Sequence, residues 1–286
     1  MVGHAIQEFR LAGLLFLCLI AASLSPGLAW AQGNYEIQVY GSETVPAGDT
    51  MVELHSNFTA IGSKTTPDGT YPTNHQEHET VEITQGWNNW FETGFYIFTS
   101  AGPNGQGYQW VGDHIRPRVR VPDSWSWPFG FSISTEIGYQ RPIFSRDTWT
   151  WEIRPIIDKE IGPWYVAFNP ALERSWHGPS VPEGVGFSPA LKVSYQFNKV
   201  FAGGFEYYGN TGPVTDFAPI GQEQQQIFPA IDLDLGLAWE FNFGVGVGMT
   251  ASTDHLIIKM ILGRRFNFLG QHGQKFTGAL LSHRTS

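Results

Sequence analysis

The sequence predicts an all-β chain: a single up-and-down antiparallel barrel of about twelve strands, crossing a membrane with those strands. Three observations predict it. Apolar residues recur at every second position through most of the chain, while helical periodicity is scarce. From Gln32 onward no apolar run reaches the roughly 18 residues that a membrane-spanning helix needs. The connections between alternating segments are by turns short and long, which suits a barrel with tight turns at one rim and larger loops at the other.

Composition agrees. Charged residues make up only 15%, against about a quarter in soluble domains, whereas glycine (33 residues) and aromatics (15%) are abundant. The net charge is −9, with no basic stripe and with arginines interleaved among acids, so nucleic acid is not an expected partner.

Taken in order, residues 1–31 read as a cleaved signal peptide. Arg10 precedes the apolar run Leu11–Leu24, too short for a span, and Ala29 and Ala31 give the small-x-small cleavage pattern. The lone Cys18 leaves with that segment, so the exported chain has no disulfide and no thiol nucleophile. Residues 32–49 are expected to form a short periplasmic N-terminal segment, too brief for a substantial plug domain. The barrel itself is expected over 50–268.

Its strands are expected near 50–59, 77–86, 90–99, 108–121, 129–140, 148–158, 164–173, 186–197, 200–208, 226–239, 241–250 and 255–268. Trp87, Trp90, Trp125, Trp127, Trp164 and Trp239 fall at the short turns, and Trp149 and Trp151 just below a long loop. Two such clusters match the aromatic girdles of a membrane barrel. Five strands share a motif with a central proline: Ile115–Val119, Ile153–Ile157, Phe168–Leu172, Phe187–Leu191 and Ile227–Ile231. Each proline lies on the outward face and cannot donate to the ladder, so each should mark a bulge or an unpaired position.

The opposite face carries Glu53, Glu82, Glu92, Arg116, Arg118, Arg120, Glu136, Glu152, Arg154, Lys192, Glu206, Asp232, Asp234, Lys259 and Arg265, with His55 and His114. Acids and bases nearly balance. Such residues are costly in lipid but acceptable in a hydrated lumen or as paired networks. Arg116, Arg118 and Arg120 form a row with steps of about 6–7 Å. That row is either an anion-guiding ladder or a set of partners for Glu82, Glu92, Glu136 and Glu152 on neighbouring strands.

The last strand alternates apolar residues from Leu256 to Phe268 with His255, Lys259, Arg265 and Asn267. Its ending, Gly263, Phe266 and Phe268, resembles the closing-strand assembly signal of bacterial outer-membrane barrels. Residues 269–286 are expected to trail from the barrel as a flexible extension.

The stretches Gly204–Gly209, Pro229–Gly236 and Phe241–Gly248 resemble the outer-membrane barrels grouped with phenol meta-pathway proteins, distant relatives of fatty-acid transporters. That resemblance implies export to the outer membrane and passive passage of small molecules, hydrophobic or aromatic ones included. The barrel-assembly machinery, outer-membrane lipid and a small solute would be its partners.

Enzyme chemistry finds little support. Barrel phospholipases and lipid A deacylases use a His-x-Ser pair, and this chain has none; His55 and Ser56 are adjacent and point to opposite faces. His75 and His78, with Glu77 and Glu79, are also split between the faces of a strand, so no metal and no cofactor is expected. The sequence therefore indicates a passive outer-membrane channel. The alternatives are a sealed structural or interaction barrel and, more remotely, a lipid-modifying enzyme acting through His55 or His114.

Overall fold

The computed structural model describes residues 31–66, 68–103, 106–236 and 238–267. The proposed cleavage site at Ala29, residue Phe268 of the closing signal and the extension 269–286 lie outside the described residues.

Twelve antiparallel strands close into one barrel: β1 (Asp49–Ile61), β2 (Gln76–Asn88), β3 (Phe91–Gly102), β4 (Gly107–Arg120), β5 (Gly130–Gln140), β6 (Trp149–Ile161), β7 (Trp164–His177), β8 (Val185–Gln196), β9 (Phe201–Asn210), β10 (Gln224–Asp234), β11 (Trp239–Gly248) and β12 (Leu256–Asn267). Each strand pairs with its sequence neighbours, and β1 pairs with β12 from Asp49↔Asn267 to Ile61↔Leu256. Closure leaves no unpaired edge, which lipid would not satisfy. Among the described residues no helix is long and apolar enough to cross a membrane.

The period-two pattern becomes two surfaces. Outward positions expose an apolar belt that includes Leu54, Ile83, Phe95, Ile97, Ile133 and Leu172, as a wall facing lipid requires. Trp87, Trp90, Trp125, Trp127, Trp164 and Trp239 are exposed around the short-turn rim, and Trp149 and Trp176 near the other. Inward positions are mostly polar and buried.

Strand boundaries differ from the sequence reading mainly in one place. Strand β10 ends at Asp234 and β11 already begins at Trp239. Glu240 thus belongs to a strand and is buried, where a turn was expected. The turn sits instead at the glycine with positive φ, Gly236 (φ 108°).

The strand prolines interrupt pairing without shifting the register. The β4–β5 ladder passes from Ile115↔Ile137 to Arg118↔Ser134, leaving Pro117 unpaired on that side. The β6–β7 ladder passes from Ile153↔Leu172 to Ile157↔Phe168, skipping both Pro155 and Pro170. The β8–β9 ladder reaches only Ala190↔Tyr208, one residue short of Pro189. The β10–β11 ladder skips Pro229 between Ile227↔Val247 and Ala230↔Gly244. A missing N–H at each site accounts for the gaps.

The N-terminal segment is not outside the barrel. Its described part enters the lumen at the long-loop rim, where Asn34 Nδ2 donates to Asp254 at 2.9 Å. It leaves at the short-turn rim, where the Gly48 N–H donates to the Gly86 carbonyl at 2.9 Å. The expectation of a periplasmic segment over 32–49 is corrected by this placement. A plug need not be a domain: an extended chain rises about 3.3 Å per residue, so some nine residues cross a hydrocarbon core of about 30 Å.

Candidate functional site: the lumen and its N-terminal segment

Residues 35–46 are extended but join no sheet, so their backbone groups need partners from the lumen wall. The wall supplies them one by one. Thr80 Oγ1 donates to the Tyr35 carbonyl at 2.8 Å and Lys259 Nζ to that of Ile37 at 3.0 Å. Asn169 accepts from the Tyr40 N–H at 2.7 Å and donates to its carbonyl at 3.0 Å. Arg118 donates to the carbonyls of Gly41 (3.1 Å) and Glu43 (2.6 Å). Asp158 accepts from the Ser42 N–H at 2.9 Å and hydroxyl at 2.7 Å, and Glu92 from the Val45 N–H at 2.6 Å.

Apolar side chains of the segment, Tyr35, Ile37, Val39, Tyr40 and Val45, are buried in the lumen. Tyr35 packs with Tyr96, Phe98, Val111 and Phe144, and Ile37 with Phe228 and Ile257. Tyr40 sits at the centre. The guanidinium carbons of Arg116, Arg154 and Arg118 lie 4.7, 5.0 and 5.9 Å from its ring centroid, contacts that gain strength when desolvated. Its hydroxyl meets that of Tyr96 at 3.2 Å.

Glycines make the close approaches possible. A Cβ on Gly86 would stand 2.2 Å from the Val45 carbonyl oxygen. A Cβ on Gly246 would fall inside the Phe228 ring, at 2.2 Å.

Eleven of the fifteen charged residues expected to line the lumen are buried there: Glu53, Glu82, Glu92, Arg116, Arg118, Glu136, Glu152, Lys192, Glu206, Asp232 and Lys259. Arg120, Arg154, Asp234 and Arg265 are half-buried towards the rims or cavities. They form local networks rather than an open charged ladder. Arg116 pairs with Glu82 at 2.5 Å and Glu92 at 3.5 Å, and Arg118 with Glu92 at 2.6 Å. Arg120 pairs with Asp123, three residues further along, at 2.5 Å. Glu136 is taken by His114 and Glu152 by Arg154 at 2.7 Å, so neither serves the arginine row. Lys192 holds Asp232 (2.8 Å) and Glu206 (3.2 Å), Lys259 adds a second cation to Glu206, and Arg265 faces Asp49 at 3.5 Å.

Asn169 and Asp158, which hold the segment at Tyr40 and Ser42, have no charge-pair signature in the sequence. Asn169 and Asp158 share the inward parity of their strands, and that is the signal that could have drawn attention to them. Of the histidines and acids near 75–79, His78 is buried against Tyr35, with ring centroids 4.8 Å apart, while Glu77 and Glu79 lie on the other face. That group does not converge. Gly263 is buried in the wall and Phe266 is half-buried on the outward face.

Two cavities lie on either side of residues 40–42. One, of about 100 Å³, opens towards the long-loop rim and is lined by Glu36, Gln38, Arg154, Asn169, Glu173 and Tyr208, among others. The other, of about 220 Å³, lies at the short-turn rim beside Ser42, Trp127, Asp158 and Tyr165. The segment thus closes the lumen between two polar vestibules.

No family model matches this chain, and no curated protein matches it. Solved structures do. An outer-membrane channel from Pseudomonas putida F1 superposes with a TM-score of 0.53 at 9% identity, covering 81% of this chain and all of that one. The outer-membrane protein Omp33 of Acinetobacter baumannii gives a TM-score of 0.45 at 7% identity, over 79% and 100% of the two chains. The KdgM porin gives 0.44 at 12% identity, over 76% and 99%. With the closed twelve-strand topology, the first of these shows an outer-membrane β-barrel fold.

Proposed function

We propose that this chain is a passive outer-membrane channel for small solutes, held shut by its own N-terminal segment. The observation that carries the reading is the pair of vestibules meeting at residues 40–42. A barrel whose only role was structural would gain nothing from polar chambers opening to each rim. The vestibule lining of carboxylate, amide, guanidinium and tyrosine hydroxyl groups suits solutes with hydrogen-bonding groups on a small body. Hydroxylated aromatics fit that description and agree with the resemblance to phenol meta-pathway barrels. Outer-membrane lipid surrounds the apolar belt, and the barrel-assembly machinery would insert the chain through Gly263 and Phe266. The sequence holds no His-x-Ser pair of the kind barrel lipid hydrolases use, which supports a channel over an enzyme.

The test is conductance and liposome swelling of the refolded full chain beside a form lacking residues 32–44. Low permeability in the first and a steady pore in the second is the expected result. A truncated barrel that folds yet remains impermeable would instead favour the sealed structural reading.

A further inference from the structure

Glu53 and His55 alternate on the lumen face of β1, and β2 places Glu82 directly opposite Glu53. All three are buried, His55 completely. One potential ligand atom from each lies within 4.8 Å of the others. His55 Nε2 stands 3.5 Å from Glu82 Oε2. Neither imidazole nitrogen makes a hydrogen bond, and neither do Glu53 Oε1 and Glu82 Oε2. The other Glu82 oxygen is occupied, by Arg116 at 2.5 Å and the Thr84 hydroxyl at 2.7 Å. Among the described residues no lysine or arginine forms an ion pair with Glu53, and Glu240 of β11 reaches it from the other side, adding a further carboxylate.

Buried carboxylates are kept charged by a cation or by hydrogen bonds, and a buried imidazole with two idle nitrogens lacks both. We propose that Glu53, His55 and Glu82 bind a divalent transition-metal ion of the zinc class, through one nitrogen and two oxygens. Bonds of about 2.0–2.1 Å to nitrogen and oxygen set the ligand atoms of a tetrahedron about 3.4 Å apart, close to the spacing between His55 and Glu82. Glu53 completes the set by turning its carboxylate. Imidazole with carboxylates selects zinc-like ions over calcium or magnesium, which take oxygen ligands. An ion here ties β1 to β2 next to the β1–β12 closing seam, and binds the folded barrel but not the unfolded chain.

The experiment refolds the full chain in detergent with either zinc chloride or EDTA, using heat-modifiable migration to identify folded barrel. Metal content, calorimetric titration with zinc and the unfolding temperature are then measured. About one zinc per barrel and an unfolding temperature higher with zinc than with EDTA are expected. Folding in zinc but not in EDTA also supports the site. The variants H55A and E53Q should each weaken zinc binding by about tenfold or more, and E53Q keeps the side chain's size and polarity should H55A fail to fold. Cobalt(II) absorption in the wild-type barrel, lost in E53Q, gives a readout independent of stability. Folded wild-type protein that takes up no zinc, with identical melts in zinc and EDTA, would overturn the proposal and leave His55 as a neighbour of Glu82 only. Zinc binding unaffected by both variants would overturn it equally.

Discussion

Tyr40 and Asn169 lie 129 residues apart in sequence and exchange two hydrogen bonds in the middle of the lumen, the amide side chain taking both backbone groups of the tyrosine at 2.7 and 3.0 Å. One side chain thereby does for an isolated strand what a neighbouring strand would do. Asn169 is buried, so removing its amide strands a buried donor and a buried acceptor together.

Asn169→Ala should therefore loosen the segment. An unsatisfied buried polar group costs about 1–3 kcal/mol, enough to raise the population of an open lumen by roughly one to two orders of magnitude. Single-channel recording should show frequent openings where the parent shows few. Asn169→Asp keeps the acceptor and loses the donor, so its opening frequency should fall between the two. A folded alanine variant as quiet as the parent would mean that the segment is held elsewhere.

The arginine row should divide by partner. Arg116→Ser takes the only guanidinium paired with Glu82 among the described residues, and Arg118→Ser leaves Glu92 with just the longer Arg116 contact at 3.5 Å, so each variant breaks a buried ion pair. Losses of about 3–5 kcal/mol are expected for such breaks. Arg120 faces Asp123, whose side chain is 63% exposed, and an exposed pair contributes about 0–1 kcal/mol. Urea unfolding of the three single variants should rank Arg120→Ser far below the others. Comparable losses at all three positions would mean that the row acts as one unit.

This ranking shows what could and could not be read from the sequence. Alternation marks which face each charge takes, because a strand's side-chain period is two, and the wall and most of its charged lining follow from that alone. It does not say who pairs with whom. Glu136 and Glu152 share a face with Arg116 and Arg118, yet His114 and Arg154 are closer and take them. Nor does it reveal that Arg118 spends its guanidinium on the carbonyls of Gly41 and Glu43. Those partners lie in a segment with too little sequence to signal a plug. The prolines were legible for the opposite reason: a missing N–H is a local fact, and Pro155 and Pro170 coincide with a gap in the β6–β7 ladder wherever the rest of the barrel goes.

Removing the buried cations should separate two roles. Lys192→Met deprives Asp232 of its ion-pair partner, though Asn242 Nδ2 still donates to it at 2.7 Å. Lys259→Met leaves Glu206 with Lys192 but takes the hydrogen bond from the Ile37 carbonyl. The first should mainly lower stability. The second should also raise permeability, because it touches the segment. Melting curves and liposome swelling measured together would show whether the effects divide this way; equal permeability in both variants would rule it out.

Gly86 gives the most direct mechanical control of the segment. A Cβ there would collide with the carbonyl oxygens of Val45 at 2.2 Å and Pro46 at 2.3 Å, and backbone atoms cannot swing aside as a flexible side chain can. Gly86 itself has no positive φ, so alanine suits the strand and the strain falls on the segment. Gly86→Ala should push residues 45–48 out of place and weaken the hydrogen bond from Gly48. The chain between Gln32 and Asp49 has no lysine or arginine, but it carries Glu36 and Glu43. A glutamate-specific protease should therefore cut the variant at these positions while sparing the parent. Gly221→Ala, at a loop site with open space around it, serves as the control and should behave like the parent. Protection of Gly86→Ala equal to that of the control would place the grip on the segment deeper in the lumen, at Tyr40 and Ser42, and make its exit at the short-turn rim incidental.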